Sequence, residues 1–368
     1  MKWKRVRRET NGGTYVIAAG GTGGHIFPGI ALAREIRDRR PDAGVLFVGT
    51  GRGLEAKLVP DAGFALELIR ASGFAGKRPA ARLRALAELP AGFHQARRLL
   101  ARHNARAVAG VGGYVTVPVL AAARSLDIPT LIHESNAFPG IANRLLNRFA
   151  TRTAVGLAEA NRRLPRPGVV TGTPVRPEFF AVPPIDPLAT TRRLLVFGGS
   201  QGSRVLNRVM AEAAPLLAAD RVEVIHQTGE KELEETRARY GDVPAGWKVV
   251  PFLARIHEEL SWADLVLSRA GSQTLAELAA AGRPAILVPF GAATHGHQTG
   301  NAEVFARAGA AIAIAEPVLS AEELARAVRR LFERRDELAR MGTKARAFAR
   351  PEASSLLADL LFEAEEAR

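Results

Sequence analysis

The stretch GGTGGHIFPG, residues 20 to 29, sets five glycines and one histidine directly after an apolar run, Tyr15 to Ala19. Glycines between a strand and a helix leave backbone N–H groups unobstructed beside the positive end of the helix dipole, and together these hold phosphate oxygens. His25 adds an imidazole, a group of ordinary pKa near ~6.5 that can take a proton at neutral pH. A second stretch, LVFGGSQGS from Leu195 to Ser203, repeats the order of strand, Gly-Gly, hydroxyl and Gly about half a chain later. Neither turn carries the G-x-G-x-x-G dinucleotide pattern or the Gly-Lys-Ser/Thr of a P-loop, so phosphate binding here is of another lineage. Each turn alone could equally be a ligand-free strand-to-helix connection; two in one chain favour a ligand. The chain has no cysteine and no Asp-x-Asp pair. Thiolate catalysis, Cys-ligated zinc and disulfides are thereby excluded.

Such turns need strands and helices behind them. Short, continuous apolar runs occur at Tyr15–Ala19, Val45–Val48, Ala107–Val111, Thr130–His133, Leu194–Phe197, Val222–His226, Lys248–Val250, Leu265–Leu267 and Ala285–Val288. Runs of this kind suit parallel strands covered on both faces. Helical spacing fills the intervals, as from Gly29 to Arg40 and from Leu206 to Ala219. The alternation predicts an α/β chain of two Rossmann-like halves with doubly wound parallel sheets. Seven prolines from Pro165 to Pro187 cannot sustain a helix and mark a stiff passage between the halves. The expected division is a basic extension over 1–13, a first domain over 14–172, a Pro-rich linker over 173–190, a second domain over 191–350, and a final helix over 351–368 able to pack on either half.

Lys plus Arg number 51 against 37 Asp plus Glu, a formal charge of +14, and the pI is about 11.0. That balance favours an anionic partner: nucleic acid, a phospholipid surface or a phosphorylated substrate. The basic opening passes into Asn11-Gly12-Gly13 without an apolar core, so it does not read as a signal peptide. No run approaches the roughly 18 apolar residues of a membrane span. A protein that is soluble or rests on a surface is expected.

The series GGTGGHIFPG (20–29), GVGGYVTVP (110–118), IHESNAFPG (132–140), GTPVR (172–176), GGSQGS (198–203), SRAGSQTLAEL (268–278) and HQTGNA (297–302) spans most of the chain. In content and order it resembles the MurG family, peripheral membrane glycosyltransferases that add N-acetylglucosamine to lipid-linked N-acetylmuramyl-pentapeptide. The resemblance implies a GT-B architecture, two Rossmann-like domains facing across a cleft, with UDP-N-acetylglucosamine held mainly by the C-terminal half.

It also implies roles for matching residues. Ser200 would offer its hydroxyl and neighbouring N–H groups to the donor pyrophosphate as UDP departs; capping a helix is its alternative or additional role. Gly271, Ser272, Gln273 and Thr274 would form another helix start facing phosphate, and Glu277, one turn on, would accept the ribose hydroxyls. Thr22, Gly23 and Gly24 of the first glycine turn count among the residues that would bind UDP-N-acetylglucosamine. Asn136, His297 and Gln298 suit the sugar's hydroxyls and acetamido group. Arg176 matches an arginine at the nucleotide, Leu253 a backbone contact to uracil, and Tyr114 a position on the acceptor side. His25 would take the proton of the muramyl C4 hydroxyl as it attacks the anomeric carbon from the face opposite UDP; Glu134 is the rival base, and capping a helix or binding the acceptor diphosphate through Thr22–Gly24 are the other roles open to His25. With no Asp-x-Asp, helix dipoles and glycine N–H groups would neutralise the leaving group without metal or other cofactor. Ser135, Thr294 and His295 depart from residues usual in the family and bear on the sugar contacts.

From Gly76 to Arg102 one acidic residue, Glu88, stands among many arginines, and Leu83, Leu86, Leu89 and Phe93 recur every three or four positions. An apolar strip flanked by cations fits a helix lying on an anionic membrane, or an ordinary packed helix with a basic solvated face. The resemblance favours contact through Phe74, Lys77, Arg78, Arg82, Leu83, Leu86 and Phe93, at the cytoplasmic face of the cell membrane. The implied partners are UDP-N-acetylglucosamine, undecaprenyl-pyrophosphoryl-N-acetylmuramyl-pentapeptide and that anionic surface. Nucleic acid is not expected, since the arginines are dispersed and aromatics make up only 6%. A UDP-N-acetylglucosamine 2-epimerase and a lipid-linked disaccharide synthase are the competing enzymes; the second lacks this series of motifs.

Overall fold

The computed structural model describes residues 13–72, 79–291 and 296–367, with the side chains of 79–87 excepted. The chain divides into two units: one takes the sequence up to Ser135, Pro139–Pro174 and the stretch from Glu352 on; the other takes Asn136–Phe138 and Val175–Pro351.

The first unit runs β1 (Thr14–Ala19), α1 (Gly23–Arg39), β2 (Gly44–Gly49), α2 (Glu55–Asp61), β3 (Ala65–Leu68), α3 (Pro79–Arg102), β4 (Ala105–Gly112), α4 (Thr116–Ser125), β5 (Thr130–Glu134), α5 (Ile141–Leu146), β6 (Arg152–Val155) and β7 (Val169–Val170). Its strands are all parallel, in the order β3-β2-β1-β4-β5-β6-β7. Successive β1 side chains point to opposite faces. Tyr15, Ile17 and Ala19 therefore enter one buried cluster while Val16 and Ala18 enter another, and both faces of the sheet are covered.

The second unit runs β8 (Arg193–Phe197), α6 (Arg204–Ala219), β9 (Glu223–Gln227), α7 (Leu233–Tyr240), β10 (Lys248–Val250), α8 (Ile256–Trp262), β11 (Leu265–Ser268), α9 (Ser272–Ala281), β12 (Ala285–Leu287), α10 (His297–Arg307), β13 (Ala311–Ala313), α11 (Ala321–Glu333) and α12 (Arg335–Arg346). Its parallel sheet has the order β10-β9-β8-β11-β12-β13. Leu324, Val328 and Leu331 on one face of α11 join Leu206, Val209, Met210 and Ala213 of α6 in the core of this unit. The last helix, α13 (Ala353–Glu366), belongs to the first unit: Leu357, Leu361 and Phe362 enter the Tyr15 cluster, with the Tyr15 and Phe362 rings 5.5 Å apart at 62°.

In both sheets the strand order reverses beside the strand that feeds a glycine-rich turn, β1 against β4 and β8 against β11. Ligands of doubly wound sheets bind outside the carboxyl ends of the strands at this switch point. Topology alone thus selects the two turns.

Several elements differ from the sequence expectation. The strands β3, β6, β7 and β13 carry charge or are very short, and no strand was expected at any of the four. Helix α1 starts at Gly23, six residues earlier than the expected Gly29, with Pro28 inside it. The proline ring already has a helical φ and lacks only the N–H that would reach Gly24 O. The expected 173–190 linker is largely packed: Phe179, Val182 and Ile185 are buried, and Ile185 belongs to the second unit's core.

Candidate active site

In the first unit, Thr22 is the extended residue before α1, so the N–H groups of Gly23 and Gly24 open the helix. His25 stands in that first turn. Its Nδ1 lies 3.2 Å from Gly20 O, and a carbonyl only accepts, so Nδ1 carries the proton of this hydrogen bond. Gly112, at φ +120°, leaves room for the ring: a Cβ there would stand 2.4 Å from His25 Cδ2.

Glu134, the rival base, is 3% exposed; its Oε2 accepts from Gly140 N at 3.0 Å and Asn143 Nδ2 at 2.9 Å, fastening the start of α5. These two hydrogen bonds tie Glu134 to the start of α5. His133, next to Glu134, is buried and donates from Nε2 to Gly172 O at 3.1 Å. Burial pushes its pKa down, against the Gly172 bond and the Glu134 charge, and it stays neutral. Tyr114 is 54% exposed in the turn after β4. Phe74, Lys77 and Arg78 lie outside the described residues, as do the side chains of Arg82, Leu83 and Leu86; Phe93 is half-buried and packs inward on the core beneath α3.

In the second unit the turn 198–203 leads into α6. The cap is Ser203, whose Oγ accepts from Leu206 N at 3.4 Å, so the alternative role considered for Ser200 falls to Ser203 and Ser200 is left exposed in the turn. Gly202, at φ +73°, passes so close to Thr228 O that a Cβ would come within 1.7 Å. The second helix start lies where the sequence placed it: Gly271 precedes α9 in extended conformation, followed by Ser272, Gln273 and Thr274 in its first turn.

Glu277, one turn into α9, is half-buried. Its removal from water raises its pKa to about 7, although a 3.3 Å hydrogen bond from Gln273 Nε2 and the nearby Arg176 charge pull it down. Arg176 lies over the Phe179 ring at 5.1 Å. Leu253 is half-buried in the loop between β10 and α8. Asn136 Oδ1 accepts from Asn301 Nδ2 at 3.1 Å, His297 Nδ1 donates to Phe138 O at 2.6 Å, and Gln298 Oε1 accepts from Phe290 N at 2.9 Å. Within this unit, therefore, Asn136, His297 and Gln298 belong to α10 and the short segment fastened to it. Thr294 and His295 lie outside the described residues.

The model of the glycosyltransferase family 28 N-terminal domain matches residues 15–155, and that of the family 28 C-terminal domain matches residues 193–357. An enzyme of Geobacter metallireducens named UDP-N-acetylglucosamine--N-acetylmuramyl-(pentapeptide) pyrophosphoryl-undecaprenol N-acetylglucosamine transferase is 40% identical over 351 residues, covering 94% of this chain and 96% of that one. The chain belongs to the MurG family. The crystal structure of Acinetobacter baumannii MurG superposes with a TM-score of 0.78 at 32% identity, covering 95% of this chain and 99% of that one. A putative UDP-N-acetylglucosamine 2-epimerase from Listeria monocytogenes has a TM-score of 0.67 at 12% identity over 93% of each chain, which is a likeness of fold alone. The fold is thus that of the GT-B glycosyltransferases.

Three residues that support the site in this MurG-family chain escaped the sequence reading. Glu55, fully buried, accepts the Gly21 N–H of the first glycine turn at 3.0 Å. Arg269, 7% exposed, reaches from the end of β11 to Ser203 and to Glu316. Asn207 joins the second turn to His226: its Oδ1 accepts from His226 Nε2 at 3.0 Å, and its Nδ2 donates to Thr228 O, the carbonyl under Gly202, at 3.0 Å. The only signal in sequence was position, since each follows or faces a glycine turn.

Proposed function

We propose that the chain moves N-acetylglucosamine from UDP-N-acetylglucosamine to the C4 hydroxyl of lipid-linked N-acetylmuramyl-pentapeptide with inversion at the anomeric carbon. The observation that carries this reading is 40% identity to a transferase of that name along 94% of the chain. The hydroxyl oxygen forms the new bond to the anomeric carbon as the bond from that carbon to the UDP phosphate oxygen breaks. The hydroxyl proton passes to His25 Nε2, and UDP carries away the electron pair.

The second unit holds the donor. The N–H groups opening α6 and α9, with Ser200 and Thr274, meet the diphosphate as its charge grows. Glu277 accepts the ribose hydroxyls, Arg176 stands beside the nucleotide, and Asn136, His297 and Gln298 read the sugar. The first unit supplies His25 and, through Thr22–Gly24, the N–H groups for an acceptor phosphate. No metal is required in this scheme, a reading supported by the absence of an Asp-x-Asp pair from the sequence.

Among the described residues no helix is long and apolar enough to cross a membrane. The lipid-linked acceptor must then be met at a surface, and the arginine-rich α3 with its preceding segment is the part of the chain suited to anionic lipid. The deciding experiment follows radiolabelled N-acetylglucosamine from UDP to the lipid-linked acceptor in EDTA. Label in lipid-linked disaccharide supports the proposal. Conversion of the donor to UDP-N-acetylmannosamine instead, or loss of transfer restored by magnesium, overturns the activity or the metal-free mechanism respectively.

A further inference from the structure

The peptide joining Gly20 to Gly21 is gripped from two sides. Its N–H, on Gly21, donates to Glu55 Oε2 at 3.0 Å, and its carbonyl, on Gly20, accepts from His25 Nδ1 at 3.2 Å. The N–H and C=O of a trans peptide share one plane and point in opposite directions. Holding the N–H towards Glu55 therefore aims the carbonyl at the imidazole.

This peptide needs holding. It has glycine on both sides, with Gly21 at φ +91°, so its plane can rotate with little steric hindrance. A flipped peptide would offer Gly21 N–H to Nδ1, make that nitrogen the acceptor, and move the imidazole proton to Nε2. The histidine would then face its substrate with a proton where it needs a lone pair.

Glu55 is built to prevent the flip. It is fully buried, and its Oε1 accepts from Thr50 N at 3.2 Å, Thr50 Oγ1 at 2.9 Å and Gly53 N at 3.4 Å. Burial alone would raise its pKa; the backbone N–H groups and the Thr50 hydroxyl outweigh burial and hold the carboxyl below its ordinary value, as an anion that only accepts. The surroundings leave no slack. A Cβ on Gly53 would lie 2.3 Å from Glu55 Oε2, one on Gly113 would lie 2.4 Å from Gly20 O, and Leu54 N holds Gly21 O at 3.0 Å.

We infer that Glu55 is a positioning residue for His25, its carboxylate acting through the Gly20–Gly21 peptide to keep the imidazole proton on Nδ1 and the lone pair on Nε2. The kinetic consequence rests on the proposed role of His25 as base; the tautomer does not.

Long-range 15N–1H spectra of the full chain labelled in histidine, with His25→Ala providing the assignment, read the tautomer directly. Wild-type His25 is expected as Nδ1–H. In Glu55→Gln, which turns an amide NH2 towards the backbone donors, a mixture of tautomers is expected. With it, kcat falls about tenfold while the donor KM stays within about twofold, and in a His25→Ala background the same substitution has little further effect on kcat. Wild-type His25 protonated on Nε2 overturns the inference, and so does a Glu55→Gln spectrum unchanged from wild type. Should Glu55→Gln fail to fold, Glu55→Asp, whose shorter side chain cannot span Thr50 and Gly21 together, is read against the same two outcomes. If His25→Ala retains its kcat, the base assignment falls while the spectra still decide the role of Glu55.

Discussion

Arg269 Nε donates to Ser203 Oγ at 3.0 Å, and the same hydroxyl accepts from Leu206 N to cap α6. One buried guanidinium thus fixes the start of α6, the helix proposed to meet the donor phosphate. Its Nη1 meanwhile donates to Glu316 Oε2 at 2.6 Å and to the carbonyls of Val288 and Pro289 at 3.2 and 3.3 Å. Arg269→Lys keeps the charge and loses the fork. It should lower stability by about 2 kcal/mol in urea unfolding and raise the donor KM more than it lowers kcat.

His25→Ala should lower kcat by about 10² to 10⁴ with donor affinity unchanged, as loss of a general base requires. Glu134→Gln should lower Tm while kcat stays within about threefold, because its Oε2 holds Gly140 N and Asn143 Nδ2. Steady-state kinetics and thermal unfolding of the two variants separate the roles.

With its pKa at about 7 rather than 4.5, Glu277 gains its charge only as pH rises through neutrality. A carboxylate accepts both ribose hydroxyls better than a carboxyl does, so the donor KM should fall between pH 6 and 8. Stability runs the other way. The folded pKa is raised, so this group's stabilising contribution is complete below pH 4.5 and is lost as pH rises through about 7. Glu277→Gln should raise the donor KM and flatten both profiles, measured by kinetics and by Tm against pH.

His226 is the opposite case, buried with its pKa pushed down to about 3 from 6.5. Its neutral ring accepts from Tyr240 Oη at Nδ1, 2.7 Å away, and donates from Nε2 to Asn207. Because the folded pKa is depressed, this contribution is present above pH 6.5 and is lost as pH falls through about 3. The wild-type chain should lose on the order of 5 kcal/mol across that range, and His226→Gln should show a shallower acid limb in denaturant titrations.

Arg97 and Arg98 are exposed on α3, whose Phe93 is turned to the core. Binding to vesicles containing phosphatidylglycerol should be weakened by salt and by the Arg97→Glu/Arg98→Glu pair. Co-sedimentation indifferent to both would remove α3 from the membrane reading.

The central strands were legible because a parallel strand covered on both faces is a continuous apolar run, as in Tyr15–Ala19 and Leu194–Phe197. Ala65–Leu68 and Arg152–Val155 were not, since a strand towards the sheet edge can carry Glu67 or Arg152 without cost to the core. The glycine turns and the α9 start could be read from residue order alone. What held them in place could not. Glu55 reads as a solvated helix glutamate until the backbone N–H groups of Gly21, Thr50 and Gly53 converge on it, and those partners share no side-chain pattern. Arg269 was hidden likewise, because its acceptors at Val288 and Pro289 are main-chain carbonyls.

Apart from Asn136–Phe138, the chain enters its second unit after Pro174 and returns to the first at Glu352, and α13 lays Leu357, Leu361 and Phe362 against Tyr15. A cut near residue 174 therefore cannot yield an intact N-terminal fragment, whose core would lack its closing helix. A late stop codon would strike hardest at the opposite end of the sequence, leaving the second unit's sheet whole and uncovering the sheet of the unit that carries His25.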